Sequence, residues 1–142
     1  MLTEREIIES CACHRARTAA RVVTRAYDEA LRPVRLRATQ LSVLVAVAAD
    51  VAMSITALAK FMGMDRTTLT RNLRPLDKEG LIRLGTEGWH RSRNLEITNA
   101  GRSRLREALP LWNKAQQALK KKLGDRAWAD VRASLDHLIL TA

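Results

Sequence analysis

Two helix-length apolar stripes meet at a glycine, and at Leu81 the apolar period drops from about 3.6 to two. This combination leaves the chain little freedom. The stretch opens at Ser54, a good N-cap, with Ile55, Leu58, Ala59 and Met62 on one helical face. Gly63 supplies a turn, where a side chain would crowd the backbone or meet positive φ. Asp65 can cap a second helix, in which Leu69, Leu73 and Leu76 share one side. Thr67, Thr70, Arg71, Arg74 and Lys78 cluster on the other. Pro75 removes a donor inside that helix, so a kink is expected there, and Gly80 is a suitable stop.

A helix with leucines inward and Thr and Arg outward can dock in a DNA major groove. Arginine bonds guanine edges or phosphates, and threonine bonds phosphates or touches a thymine methyl. The plain alternative is a solvated amphipathic helix. The sequence after Leu81 favours the first reading. Ile82 and Leu84 alternate with Arg83, and Leu95 and Ile97 alternate with Glu96. The turn residues Gly85-Thr86-Glu87-Gly88 lie between them. A β-hairpin directly after such a helix is the layout of a winged helix. The hairpin carries His90, Arg91 and Arg93, suited to an electronegative minor groove.

Charge agrees with a polyanionic partner: 25 Lys and Arg against 15 Asp and Glu give a net charge of +10. The excess is spread along the chain, from seven arginines between Arg15 and Arg37 to the run Lys120–Lys122, so part of it serves solubility. The 142 residues suffice for one domain with a core. No apolar run approaches the ~20 residues of a membrane span. The start, Met-Leu-Thr-Glu-Arg-Glu, is acidic and lacks the apolar segment of a signal peptide. A cytoplasmic location with reduced thiols is therefore expected.

The remaining segments read as helices. The first is expected from about Thr3, with Glu6 at capping-box spacing, to about Leu31, before Pro33. Its apolar stripe is too long for a small domain to bury alone, which points to a second copy of the chain. Thr39 can cap the next helix, to about Ala49; it is apolar nearly all round and expected to be buried. Thr98 can cap a long late helix bearing Leu105, Leu109, Trp112, Ala115, Leu119 and Leu123, with a kink expected at Pro110. After Gly124 and Asp125, a last amphipathic helix carries Trp128, Val131, Leu135 and Leu138.

Four segments together resemble the MarR family of winged-helix transcription regulators: Arg37-Ala-Thr-Gln-Leu-Ser-Val-Leu44, Leu58 to Arg71, Leu76-Asp-Lys-Glu-Gly-Leu-Ile82 and Leu95-Glu-Ile-Thr-Asn-Ala-Gly-Arg102. The resemblance covers nearly the whole chain. It implies a mainly α fold: a winged helix-turn-helix with a small β-hairpin wing and a helical dimerisation region. The expected division is a dimerisation helix in residues 1–38, a DNA-binding domain in 39–98 and dimerisation helices in 99–142. It further implies a homodimer that binds pseudo-palindromic double-stranded DNA. Control would come from a small ligand, often a phenolic or aromatic acid, or from cysteine oxidation. The DNA-contacting candidates are Arg66, Thr67, Thr68, Thr70, Arg71 and Arg74 on the recognition helix and His90, Arg91 and Arg93 on the wing. The family's wing usually carries Asp-x-Arg. Arg91 matches the arginine, but Trp89 stands at the aspartate position, so the carboxylate that would orient it is missing.

A ligand cavity is expected where the first helix, the Thr39–Ala49 helix and the start of the Thr98 helix meet. It would be apolar, with His14, Arg15 or Arg17 to hold a carboxylate or phenolate and Trp112 on its wall. For each of these residues the plain alternative is a solvent-facing or core side chain. Cys11 and Cys13 are the redox candidates. On a helix they point about 200° apart and cannot form a disulfide with each other or grip one ion together. Cys11 and His14 have metal-compatible spacing, but no second Cys/His cluster follows. No metal or cofactor is expected, and no Gly-rich phosphate loop, paired carboxylates or nucleophile with a base partner suggests an enzyme. Three readings result: a ligand-released DNA-binding regulator, expected to be a repressor; a redox-responsive regulator acting through Cys11 or Cys13; and a non-specific DNA-compacting protein.

Overall fold

The computed structural model describes residues 1–51, 54–85 and 95–141. Seven α-helices and a two-stranded antiparallel hairpin follow one another among these residues. Thr3 opens helix α1 (Glu4–Ser10) with the anticipated capping box: its hydroxyl accepts from the Glu6 N–H, and the Glu6 carboxylate accepts from the Thr3 N–H. The helix does not continue to Leu31. The chain leaves helical geometry at Cys11 (φ −66°, ψ 110°) and restarts as α2 (Ala12–Leu31). The Cys11 sulphur caps the new helix, accepting from the His14 N–H at 3.4 Å. Arg15 closes the gap, donating through Nε and Nη2 to the Glu9 carbonyl at 3.0 and 2.6 Å. This corrects the single long helix expected from the sequence. Capping by Cys11 and bridging by Arg15 stabilise a break that no glycine or proline marks.

A short 3-10 turn (Arg32–Val34) ends with Arg35 in the left-handed region and leads into α3 (Ala38–Ala48). Thr39 does not cap α3. Asp28 of α2 accepts from the Ala38 N–H at 2.7 Å, and Gln40 accepts from the Arg37 N–H at 2.9 Å. A carboxylate at a helix N-terminus is favoured by the exposed amides and the helix dipole. Arg37 lies 3.6 Å from the same Asp28 carboxylate. Leu41, Val43, Leu44, Ala46 and Val47 are buried as anticipated, but Val45 is 40% exposed.

Ser54 caps α4 (Ile55–Met62), accepting from the Ala57 N–H at 3.0 Å. Gly63 takes φ +63° at the turn, a conformation other residues adopt at a cost. Asp65 then caps α5 (Arg66–Lys78). Leu69, Leu73 and Leu76 are fully buried beneath it. Strand β1 (Ile82–Leu84) pairs with β2 (Leu95–Ile97), placing Ile82 opposite Ile97 and Leu84 opposite Leu95. Thr98 caps α6 (Asn99–Leu123), and α7 (Asp125–Thr141) follows Gly124. Neither Pro75 nor Pro110 ends its helix. Both face outward, where water can serve the carbonyl that loses its donor.

One hydrophobic core runs from Leu31 of α2 through the winged segment to Ala108 of α6. At the hairpin base, Thr98 donates from its amide to the Leu81 carbonyl (3.1 Å) and from its hydroxyl to the Gly80 carbonyl (2.6 Å). By contrast, α7 buries no residue: Leu135, Leu138, Ile139 and Leu140 are exposed. Ile7 and Ile8 of α1 are exposed too. No helix among the described residues is long and apolar enough to cross a membrane.

Candidate nucleic-acid interface and effector cavity

The leucines of α5 fix what its other face can offer. With Leu69, Leu73 and Leu76 held in the core, Thr67, Arg71, Arg74 and Lys78 are turned outward. Arg66, Thr67, Thr70, Arg71 and Arg74 line one shallow groove on this face. The arginines make this groove a basic surface.

Two of the threonine hydroxyls have partners within the helix. Thr68 donates to the Asp65 carboxylate (2.8 Å), which also accepts from the Thr68 N–H (2.7 Å). These bonds hold the Asp65 carboxyl below the usual carboxylate range. Thr70 donates to the Arg66 carbonyl (2.8 Å). A hydroxyl that has spent its proton cannot also donate to a phosphate. Thr68 therefore serves the start of α5, and the Thr70 hydroxyl is committed to the Arg66 carbonyl. Thr67 is exposed at the same end of the helix. The wing residues Trp89, His90, Arg91 and Arg93 lie outside the described residues. At the hairpin base, Arg83 and Glu96 stand opposite each other, 3.9 Å apart.

A cavity of about 470 Å³ lies between α2, α3, α4 and α6. Helix α2 contributes Val23, Thr24 and Tyr27, and α3 contributes Leu41, Ser42 and Val45 among others. Phe61 of α4 and Leu109 and Trp112 of α6 complete much of the wall. The cavity thus lies against the middle of α6 rather than its start. Tyr27 donates its phenolic hydrogen to the Gln116 side chain of α6, and burial pushes its phenol up from the ordinary value.

Of the sequence-derived ligand candidates, Trp112 lines this cavity; His14, Arg15 and Arg17 do not. His14 and Arg17 are exposed on the first turns of α2, and Arg15 is engaged with Glu9. Val23 lies nine positions beyond His14, roughly 13 Å along the helix. Tyr27, Ser42, Val45 and Phe61 are cavity residues that the sequence did not single out. The signal available was Val45, an apolar side chain on the solvent-side arc of an otherwise buried helix. Cys11 is half-buried at the α1–α2 break and Cys13 is exposed.

Comparison with known proteins agrees with this architecture. The sequence pattern of the MarR family matches residues 36–83. The M. tuberculosis transcriptional regulator MosR is 37% identical, with a TM-score of 0.80, over 92% of this chain and 94% of its own. The chain belongs to the MarR family. A MosR structure in complex with DNA gives 38% identity and a TM-score of 0.81, covering 92% of this chain and 95% of MosR. CouR from Rhodococcus jostii RHA1, bound to p-coumaroyl-CoA, shares the fold at 20% identity and a TM-score of 0.75, covering 95% of this chain and 96% of CouR. No protein of curated description matches the chain. Membership of the MarR family carries the coarse functional class, a winged-helix transcription regulator that binds DNA. The relatives found are transcription regulators rather than enzymes.

Proposed function

We propose that this MarR-family chain is a repressor that binds a pseudo-palindromic operator as a homodimer and is released by a small molecule in the α2–α3–α6 cavity. The observation that carries the DNA-binding part is the outward stripe of α5, where Thr67, Arg71 and Arg74 stand over a buried leucine ridge. Arg71, at the centre of the stripe, is assigned to base edges; Lys78, at its end, is assigned to phosphate. Arg91 and Arg93 of the wing are assigned to the minor groove, with His90 beside them.

The dimer reading rests on α1 and α7. A 17-residue helix with no buried residue is not stabilised by its own domain, because tertiary burial supplies most helical stability. A second copy would cover its leucines together with Ile7 and Ile8. On this reading residues 39–98 form the DNA-binding unit, and 1–38 with 99–142 form the dimerisation region.

Release by a ligand follows from where the cavity sits. Its walls include α2 and α6, which belong to the segments assigned to dimerisation, and α3 and α4, which support α5. A ligand shifts the spacing of the two recognition helices only if it binds one spacing more tightly than the other. The test is selection of bound genomic fragments, followed by a screen of aromatic compounds for release. A discrete palindrome and a releasing compound are expected. Uniform coverage of all DNA would instead support a DNA-compacting role.

A second reading is favoured by the break at Cys11. Because Cys11 is outside both helices, the 200° separation from Cys13 that a continuous helix imposes does not apply. Oxidation of these thiols by peroxide would alter the cap of α2. Loss of operator binding in peroxide, abolished by Cys11→Ser or Cys13→Ser, would establish this switch in place of the ligand.

A further inference from the structure

We propose that Arg104 is a positioning residue for DNA reading: it fixes the tilt of α5 and so governs base contacts that it does not itself make. The inference rests on the assignment of the outer face of α5 to DNA. The first support is the way α6 grips the end of α5. Thr98, Gly101 and Arg104, spaced three apart, meet the successive residues Glu79, Gly80 and Leu81. Thr98 donates to the Gly80 and Leu81 carbonyls at 2.6 and 3.1 Å. Gly101, having no Cβ, lets α6 lie against the Leu81 carbonyl. Arg104 faces Glu79, the C-cap of α5, at 3.5 Å. A carboxylate at a helix C-terminus is disfavoured by the carbonyl dipoles, and Arg104 supplies the compensating cation. These contacts make the end of α5 move with the start of α6.

The second support is where Arg104 reaches next. Its Nη1 also donates at 3.0 Å to the carbonyl of Val34, in the turn between α2 and α3. Helix α3 packs against α5, so α5 rests on two supports, α3 along its length and α6 at its end. Arg104 is a polar link between them. Without it, apolar packing, which is non-directional, sets the angle at this end of α5. Bonds to base edges require close placement of the side chain, whereas attraction to phosphates is sequence-independent and tolerant of small shifts. A less tightly held α5 therefore loses operator preference before it loses general affinity for DNA.

The experiment titrates the full-length protein onto a duplex that it selects from genomic fragments and onto a random duplex of equal length. Circular dichroism checks that each variant is folded. Arg104→Met keeps the apolar stem and removes both contacts. It is expected to bind the selected duplex about tenfold more weakly and the random duplex within about twofold of the unaltered protein. Combining Arg104→Met with Glu79→Gln restores the charge balance but not the Val34 bond, and is expected to keep the loss. Arg104→Lys keeps the charge and a donor, and is expected to fold and to recover part of the preference. Equal losses on the two duplexes, no loss on either, or full recovery in the double variant would each overturn the positioning role while the DNA reading of α5 stands. If the unaltered protein shows no preference for the selected duplex, both are overturned.

Discussion

The guanidinium of Arg104 joins the end of α5 to α6 and to the turn after α2. Its Nη1 lies 3.5 Å from the Glu79 carboxylate, at the C-cap of α5, and donates to the Val34 carbonyl at 3.0 Å. Arg104 is the more buried partner and holds both acceptors, so the two ends of this contact are unequal. Arg104→Ala is expected to cost about 1–2 kcal/mol, since it removes a charge-assisted hydrogen bond and leaves Val34 unpaired. Glu79→Gln is expected to cost less than ~1 kcal/mol, as for other partly exposed pairs. Urea denaturation at one fixed protein concentration measures both. Equal losses would show that the Val34 bond contributes nothing.

Gly101 is held by contact rather than by backbone angle. A Cβ there would stand 2.0 Å from the Leu81 carbonyl oxygen. That oxygen is fixed by the Thr98 amide, so it cannot retreat without opening the hairpin base. Gly101→Ala is expected to cost about 3 kcal/mol or more. A near-neutral melting temperature would mean that α6 shifts freely against the hairpin, contrary to the packing described.

Asp65 makes the stability of α5 depend on acid. Its carboxyl is held below the usual range by the Thr68 amide and hydroxyl. A depressed folded-state pKa means that the contribution is complete above the unfolded value, about 3.9. It is lost as pH falls through the folded value. Asp65→Asn keeps a good N-cap but cannot titrate. Its stability is therefore expected to fall less than that of the unaltered protein below about pH 4. Parallel curves would remove Asp65 from the acid response.

Tyr27 offers a direct optical report on the cavity, because it is the only tyrosine in the chain. Desolvation raises its phenol, so the phenolate should form above the ordinary value of about 10. The sign is opposite to that of Asp65: the contribution to stability is complete below the unfolded value and lost as pH rises through the folded one. Ultraviolet titration reads this directly. An uncharged ligand in the cavity should delay ionisation further, whereas an unchanged titration curve would place the ligand elsewhere.

The parts readable from sequence were those set by neighbours along the chain. Ser54, Asp65 and Thr98 announce three helix starts, Gly63 the turn, and the alternation around Ile82 and Leu95 the hairpin. Each is a local capping or periodicity effect that one stretch of residues decides. The Cys11 break was hidden because its causes, a sulphur cap and the reach of Arg15 back to Glu9, follow no recognised helix-stop pattern. The Asp28 cap on α3 and the Tyr27–Gln116 bond join residues far apart in sequence. The cavity's lining was hidden for the same reason: it depends on which turn of α2 faces α6.

Sequence-specific reading of DNA by the outer face of α5 is the central claim. Footprinting of the full-length protein and of Arg71→Ala on selected genomic fragments tests it most directly. The unaltered protein should protect two half-sites about one DNA turn apart, roughly 34–36 Å. Arg71→Ala should lose about 1–3 kcal/mol on that site, with relaxed preference at one or two base pairs and little change on random DNA. Equal losses on operator and random DNA, or uniform protection without half-sites, would contradict it.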